Sequence, residues 1–397
     1  VVPSMGVGGI ATGSLDYAQG SSNAMPTADA RITVNNFTRA SLTATSTPVD
    51  IVTVSKLSPG GGEMRALIRR GGTAIGRVVA TLSPTGGGAS WVDRLMSAPL
   101  SGGIRYNGPA AVPFSMAGLA GQQLTGPLAF AADFSGRLND PRLNGVVRAD
   151  RLTYDNETYG TRLSNLALRG RFNNDRLEIV QLQARAGEGT VSASGTIGLS
   201  AAQGFPLDLS AKLNNARLAK SDALGATATG DIRVTNGPNG GLIRGTITIP
   251  EARYEIIRQG AAEVPELTGV RRKSDLRQAA LNAGAGPPPA ALGAFKLDLR
   301  LRADNRLFVN GMGLESEWSM DLRIGGTNRA PTVNGNLELV RGTYSFAGKR
   351  FDVTRGEVRF EGGAMTDPII DIQASTTTNG ITAVINIAGT GQRPRVT

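Results

Sequence analysis

Two segments of the chain, 190 positions apart, align with each other without a gap. Residues 136–197 and 326–387 share 13 identities in 62 positions. The identities include residues with restricted backbones, such as Pro141 and Pro331, and many apolar residues between them are exchanged for other apolar residues. A repeated unit that stacks on its own copies predicts an extended architecture, in which function belongs to a long surface and not to one closed pocket.

Alternation of apolar and polar residues predicts the strands of this architecture. It is regular from Phe295 to Asp304 and again from Glu317 to Gly325. Because successive side chains of a strand point to opposite faces, each of these strands has one apolar face. The fold class is therefore all-β: a long, curled antiparallel sheet, groove-like or solenoid-like, with an apolar concave face and few short helices.

Local signals place the boundaries of these elements. Short helices are expected at 91–96 and within 110–120. Asn-Gly pairs are typical of hairpin turns and predict strand ends at 144–145, 236–237, 310–311, 334–335 and 379–380.

Composition excludes several kinds of active site. The chain has no His and no Cys, which removes Ser-His-Asp and Cys-His catalysis and the commonest metal ligand. Carboxylate pairs such as Asp150 with Asp155 are expected to be solvated charges on strand faces. We therefore predict that the chain is not an enzyme and has no catalytic residue, no metal site and no cofactor.

The net charge of +10 raises the question of an anionic partner. The 42 Lys and Arg residues are spread along the strands, and aromatic platforms for stacking bases are missing. We predict no nucleic-acid partner. No apolar stretch of 18 residues exists, and the chain opens without a signal peptide, so any membrane anchor is expected outside it.

The sequence predicts some twenty strands with one apolar face, and too few amphipathic helices to cover that face. Either the sheet folds onto itself as a sandwich, or it curls into a trough that holds acyl chains. In the second case Leu322→Arg is expected to block lipid passage more than it destabilises the fold. The predicted lining residues of the trough are Phe295, Leu297, Leu299, Leu301, Trp318, Met320, Leu322, Ile324, Leu337, Leu339, Ile381, Ile385 and Ile387.

The last quarter of the chain carries a specific pattern of motifs. They are the run from Asn305 to Thr327, the run from Pro331 to Phe360, Asp367-Pro-Ile-Ile-Asp-Ile-Gln-Ala, and Ile387-Ala-Gly-Thr-Gly-Gln-Arg-Pro. Together they resemble the C-terminal portion of the TamB family of the translocation and assembly module, within the AsmA-like, bridge-type lipid transfer superfamily. The resemblance is specific over about 293–397 and weak over 121–257.

The resemblance implies a periplasmic protein of diderm bacteria, anchored in the inner membrane by an N-terminal helix outside this chain. It implies a hydrophobic groove that conducts or shields phospholipid acyl chains between the two membranes and supports outer-membrane biogenesis. It also implies an Omp85-type barrel partner, bound through a C-terminus that is expected to be missing here. The alternative is an assembly factor or chaperone that templates outer-membrane β-barrel proteins through exposed strand edges.

Four segments are expected. Residues 1–120 are predicted to form an irregular β segment of the groove, and 121–257 a β-repeat unit. Residues 258–292, which include the basic run at 271–273, are predicted to be a Gly/Ala/Pro-rich insertion or loop. Residues 293–397 are predicted to be a TamB-like C-terminal β-domain, truncated at its end.

Overall fold

The computed structural model describes residues 6–21, 23–39, 45–83, 90–200, 205–221, 223–237, 240–256, 294–362 and 367–397. These residues form one sheet of 22 strands, which does not close, and two short helices. The helices are α1 (Trp91–Met96) and α2 (Ala111–Ser115). In chain order the strands are β1 (Val7–Ala18), β2 (Thr27–Arg39), β3 (Val49–Ser58), β4 (Gly61–Arg70), β5 (Thr73–Leu82), β6 (Leu100–Pro109), β7 (Gln122–Thr125), β8 (Pro127–Arg137), β9 (Asp140–Asn156), β10 (Thr161–Asn174), β11 (Arg176–Ala186), β12 (Gly189–Gly198), β13 (Leu207–Lys220), β14 (Leu224–Gly237), β15 (Gly240–Glu255), β16 (Phe295–Gly311), β17 (Leu314–Thr327), β18 (Ala330–Phe346), β19 (Lys349–Glu361), β20 (Ile369–Thr378), β21 (Ile381–Thr390) and β22 (Arg393–Val396).

Consecutive strands pair with each other and run antiparallel, with two exceptions. β7 lies beside the second half of β9, in line with β8, so that β6 pairs with β8. β15 and β16 pair in parallel, with Ile247 opposite Leu301. The predicted all-β, curled sheet is confirmed, but it is mixed and not wholly antiparallel. A parallel neighbour requires a long crossover connection, and the chain from Ile256 to Ala294 joins these two strands. Residues 257–293, and with them the predicted insertion at 258–292, lie outside the described residues.

Two of the Asn-Gly pairs lie inside strands, so the prediction of turns there is wrong. The pair at 144–145 is in β9, and the pair at 334–335 is in β18. A Cβ on Gly145 would lie 1.9 Å from the carbonyl oxygen of Ala131, and a Cβ on Gly335 would lie 2.1 Å from that of Asp321. These glycines therefore let neighbouring backbones approach closely instead of reversing the chain. The predicted turn at 379–380 is confirmed between β20 and β21.

The sequence repeat corresponds to a repeat of strands. β9 and β18 have bounds that differ by 190 at both ends (330 − 140 and 346 − 156). The offset grows to 192 by the strands β12 and β21 (381 − 189). The two copies therefore share strand order, although the bounds of individual strands shift by about two residues from the constant offset of the sequence alignment.

The molecule is extended. Its 22 strands lie side by side in one sheet that does not close. Within the described residues, the buried apolar side chains form four clusters along the sheet and no single central core. Leu163 packs against two of these clusters and connects them. The extended shape predicted from the repeat follows from this arrangement.

Bulges with a left-handed residue bend several strands. Arg306, with φ of 62°, lies in the bulge of β16 between Ala303 and Leu307, and its backbone N–H donates to a side chain. Glu317 of β17 accepts that N–H at 3.1 Å and also accepts the Nε of Arg341 at 2.6 Å. Asn36 in β2 and Asn215 in β13 have the same backbone conformation. The backbone N–H of each donates to a side-chain oxygen of the next strand.

We expect Glu317 to make folding stability depend on pH. Its hydrogen bond from Arg341, the largest cause, and that from the Arg306 amide lower the pKa of Glu317 below its ordinary value of 4.5. A carboxyl whose pKa is lower in the folded state stabilises the fold above its unfolded pKa and loses that contribution as the pH falls through the folded pKa. Urea unfolding from pH 7 to pH 3 should therefore show a stability advantage of the wild type over Glu317→Gln that shrinks below about pH 4.5. An advantage that is equal at all pH values would contradict this role.

Candidate functional site

One face of the sheet is apolar across many consecutive strands. Residues that lie directly opposite one another form a row from β2 to β16, and every member is apolar or glycine. The row is Val34, Ile51, Ile68, Gly76, Tyr106, Phe130, Val147, Gly170, Ile179, Gly195, Leu209, Val234, Ile243 and Leu297. Burial raises the pKa of Tyr106 in this row to about 12. The apolar face therefore extends across the sheet from β2 to β16.

The predicted lining residues all lie on this face. Leu301 is opposite Leu322, and Met320 is opposite Leu337. On β21, Ile387 lies opposite Ile372 of β20, on the same side of the sheet. The strand register therefore places opposite one another residues that are 15 to 21 positions apart in the sequence (387 − 372 and 322 − 301).

The lining residues differ widely in exposure. Phe295, Trp318 and Leu322 are buried, with 7%, 3% and 9% of their surface exposed. Ile381 is 75% exposed, although it follows the same alternation as the others. The remaining residues of the set are half-buried. Part of the set is thus core that supports the face, and part is surface that a ligand could contact.

Trp318 shows how the buried members are held. Its indole N–H donates to the Oγ of Ser316 at 2.8 Å, and that hydroxyl donates to the carbonyl oxygen of Val309. The ring extends over β18 to β19, where a Cβ on Gly356 would lie 2.8 Å from Cη2 of the indole. The absence of a side chain at Gly356 makes room for the ring.

An apolar cleft opens near the C-terminal end of the sheet. Its volume is about 180 Å³. The tip of the β16–β17 hairpin, with Met312 57% exposed, forms one wall, and the apolar face of β19–β21 forms the other. Ile385 and Ile387, two residues of the predicted lining set, contribute to it. The other lining residues are Ile256, Gly311, Met312, Leu314, Tyr344, Val353, Ile372 and Ala374.

Those other lining residues were not predicted from the sequence. Ile372 and Ala374 follow the same alternation as Ile385, so a longer search for period two would have found them. Met312 lies in a turn, where no periodic signal exists, and only the folding of the hairpin tip over the face brings it to the cleft. Tyr344 stacks on Phe346 with ring centroids 6.2 Å apart.

Charged residues occupy the opposite face and pair across strands. Arg300 donates two hydrogen bonds to the carboxylate of Asp321, at 2.8 and 3.1 Å. This pairing lowers the pKa of Asp321 below its ordinary value. Both side chains are more than 40% exposed, so the pair contributes little to stability in salt.

The described residues contain no group of three or more His, Cys, Asp and Glu that could hold a metal ion. Asp150, one of the carboxylates predicted to be solvated, is half-exposed and pairs with Arg148 and Arg169. In the described part of the chain no helix is both long enough and apolar enough to cross a membrane.

An open β-sheet with a continuous apolar face and a charged opposite face defines the class of this protein: an extended β protein that offers long surfaces and not a closed active site. Residues 180–397 match the family model of the TamB C-terminal domain, so the chain belongs to the TamB family. The chain is also similar to the translocation and assembly module subunit TamB of Haemophilus influenzae, with 22% identity over 292 residues. That match covers 70% of this chain and 22% of the relative's length.

Proposed function

We propose that the apolar face of this chain conducts or shields phospholipid acyl chains in the cell envelope, as part of a translocation and assembly module. Two observations carry this proposal: the apolar row across the sheet, and a separate cleft near the C-terminal end of the sheet whose walls are aliphatic and aromatic. Acyl chains gain about 0.8 kcal/mol per buried CH₂ group, and an open apolar face is stable in water only when something apolar covers it.

The proposal includes the surroundings of the chain. The lipid path runs through the periplasm, between an inner-membrane anchor outside this sequence and the outer membrane. An Omp85-type barrel is the proposed outer-membrane partner. Residues 1–120, 121–257 and 293–397 are proposed to be successive parts of one groove, with 258–292 as an insertion.

Photo-crosslinking tests the lipid path. The full chain with a benzophenone side chain at Met312, on the wall of the apolar cleft, is mixed with phospholipid vesicles and irradiated. We expect phospholipid adducts by mass spectrometry at this position. The control has the same group at Thr377, an exposed residue of β20 whose side chain points to the opposite face, and we expect few adducts there. Equal adduct yields at the two positions would contradict the proposal.

A second candidate function is supported by the sheet edge. Among the described residues, β1 pairs only with β2, which leaves the outer edge of a 12-residue strand open. Open edges can template another strand. An assembly factor of this kind should bind an unfolded barrel protein saturably, without competition from phospholipid.

A further inference from the structure

The short helix α2 and the residues that follow it lie on the apolar face of the sheet. Val112 is 5% exposed and belongs to a buried cluster on that face, and Met116 packs against the same cluster. We call residues 111–118 the α2 segment. The residues of the apolar row in this cluster lie on β3 to β8, and we call them the covered bed: Ile51, Ile68, Tyr106 and Phe130.

Aromatic rings form much of the surface at this place. Tyr106 stacks on Phe130 with ring centroids 5.0 Å apart, and Phe130 meets Phe172 edge-on at 6.5 Å. Phe114 of the α2 segment meets Tyr154 of β9 edge-on at 6.3 Å. Aromatic side chains bury large apolar areas, so the covered bed is a surface along which another linear apolar group can lie.

Few polar contacts hold the α2 segment in place. The Oγ of Ser115 accepts the backbone N–H of Thr47 at 2.9 Å, and Nη1 of Arg39 donates to the carbonyl oxygen of Met116 at 3.1 Å. The helix has five residues, and its N-cap Ala110 makes no side-chain hydrogen bond. A helix this short is not stable without its packing partners. Local opening of the segment should therefore cost much less free energy than global unfolding.

Both ends of the α2 segment are fixed to the sheet. Ala110, which is fully buried, donates its N–H to the carbonyl oxygen of Gly126 at 2.8 Å. On the other side β7 pairs with β9. Gly118 and Gly121, with φ of 68° and 65°, connect α2 to β7 in a conformation that glycine adopts without strain. The segment can thus lift from the face while the strands on either side stay paired.

We propose that the α2 segment is a lid over an acyl-chain binding site, and that a phospholipid acyl chain displaces it from the covered bed. This inference rests on the proposed lipid function and adds that the apolar face is closed here in the free protein. Val112 and Met116 occupy the place that acyl CH₂ groups take after opening. Because both occupants are apolar, the bed stays covered during the exchange, and only the two hydrogen bonds of the segment are lost.

Photo-labelling of the full chain tests the lid. The protein is mixed with vesicles of a phospholipid whose acyl chain carries a diazirine, irradiated, and analysed by mass spectrometry of its peptides. The variant Arg39→Gln, Ser115→Ala removes both hydrogen bonds of the α2 segment. We expect adducts on the covered bed to increase at least about fivefold, since a closed state that loses two hydrogen bonds is populated less. Adducts on Ile385 and Ile387 of the apolar cleft should be unchanged.

The helix α1 offers a matched control. Arg94 donates to the carbonyl oxygen of Asn23 at 2.6 Å, and the Oγ of Ser97 donates to that of Asp93 at 2.6 Å. No residue of α1 is buried. The variant Arg94→Gln, Ser97→Ala removes the same kinds of contact from a helix that does not cover the bed. It should label the covered bed as wild type does, and a rise equal to that of the α2 variant would overturn the proposal.

An engineered disulfide gives a second test, because the chain has no Cys. Thr47 and Ser115 are already joined by a hydrogen bond of 2.9 Å, so cysteines at these positions lie within reach of each other. In the variant Thr47→Cys, Ser115→Cys the oxidised form holds the α2 segment closed. We expect at least about tenfold fewer adducts on the covered bed in the oxidised form than in the reduced form. Labelling of the apolar cleft should be the same in both forms.

Equal labelling of the covered bed in the oxidised and reduced forms would overturn the proposal, since the α2 segment would then not control access. A covered bed without adducts in every variant, beside a labelled apolar cleft, would overturn the lid and leave the lipid path intact. Absence of adducts at both places would contradict the lid and the lipid path together.

Discussion

A Trp318→Ala protein is expected to lose about 3–5 kcal/mol of unfolding free energy. The indole is 3% exposed and spans from β17 across β18 to Gly356 of β19. Its removal leaves a cavity between three strands that cannot collapse, because strand pairing holds their backbones apart. It also removes the donor to Ser316. Urea unfolding followed by circular dichroism measures the loss.

A double-mutant cycle isolates the contact between the ring and the glycine. Gly356→Val places a side chain against Cη2 of Trp318 and the Cβ of Leu339, at 2.8 and 2.9 Å from the new Cβ. Overpacking of this kind costs about 1–3 kcal/mol. In the Trp318→Ala background the valine enters the vacated space, so the cost should fall or change sign. A cost of Gly356→Val that is the same in both backgrounds would show that the ring does not lie over Gly356.

Ile385→Arg is expected to abolish lipid capture with little loss of stability. Ile385 lines the apolar cleft and is half-buried, so an arginine there can extend its guanidinium to solvent while it places a charge in the lipid path. Crosslinking at Met312 should fall about tenfold or more, the equivalent of 1.4 kcal/mol of binding free energy. The unfolding free energy should change by about 1 kcal/mol or less.

Two other arginine variants on the same face serve as controls. Ile381→Arg, at a position 75% exposed, should retain both stability and crosslinking. In the trough predicted from the sequence, Leu322→Arg blocks lipid passage more than it destabilises the fold, but Leu322 is 9% exposed. We now expect this variant to lose about 3–5 kcal/mol, since the new charge is buried without a partner. Loss of crosslinking in all three variants, with folding intact, would show that any charge on this face repels lipid and that the cleft has no special role.

Sequence patterns predicted the strands well and the turns unevenly. The alternation from Phe295 to Asp304 became the first part of β16, with the expected faces. Asn-Gly pairs were correct where the glycine ends a strand, as at 379–380, and wrong at 144–145 and 334–335. In the two wrong cases the glycine lies within a strand, where the absence of a side chain lets the neighbouring backbone come close. A dipeptide does not distinguish the two uses, because the backbone that approaches is distant in sequence.

The cleft of about 1010 Å³ on the charged face, lined by residues of β11 to β17, had no signal in the sequence. Lys212, Arg244 and Arg323 are separated by 32 and 79 positions (244 − 212 and 323 − 244). Each of them by itself is typical of a solvated strand face. Their common cleft depends on strand register and on the parallel pairing of β15 with β16, and neither is encoded in a local pattern.

The sequence by itself determined that this chain is a repeated, one-sided β-sheet, because the alternation of side chains along a strand is a local property with a period of two. It also placed the chain in its family through motifs in its last quarter. Only the tertiary structure decided which apolar residues are covered and which are open. Trp318 and Ile381 follow the same alternation, yet one is sealed and the other is exposed, because burial depends on sheet curvature and on side chains from neighbouring strands.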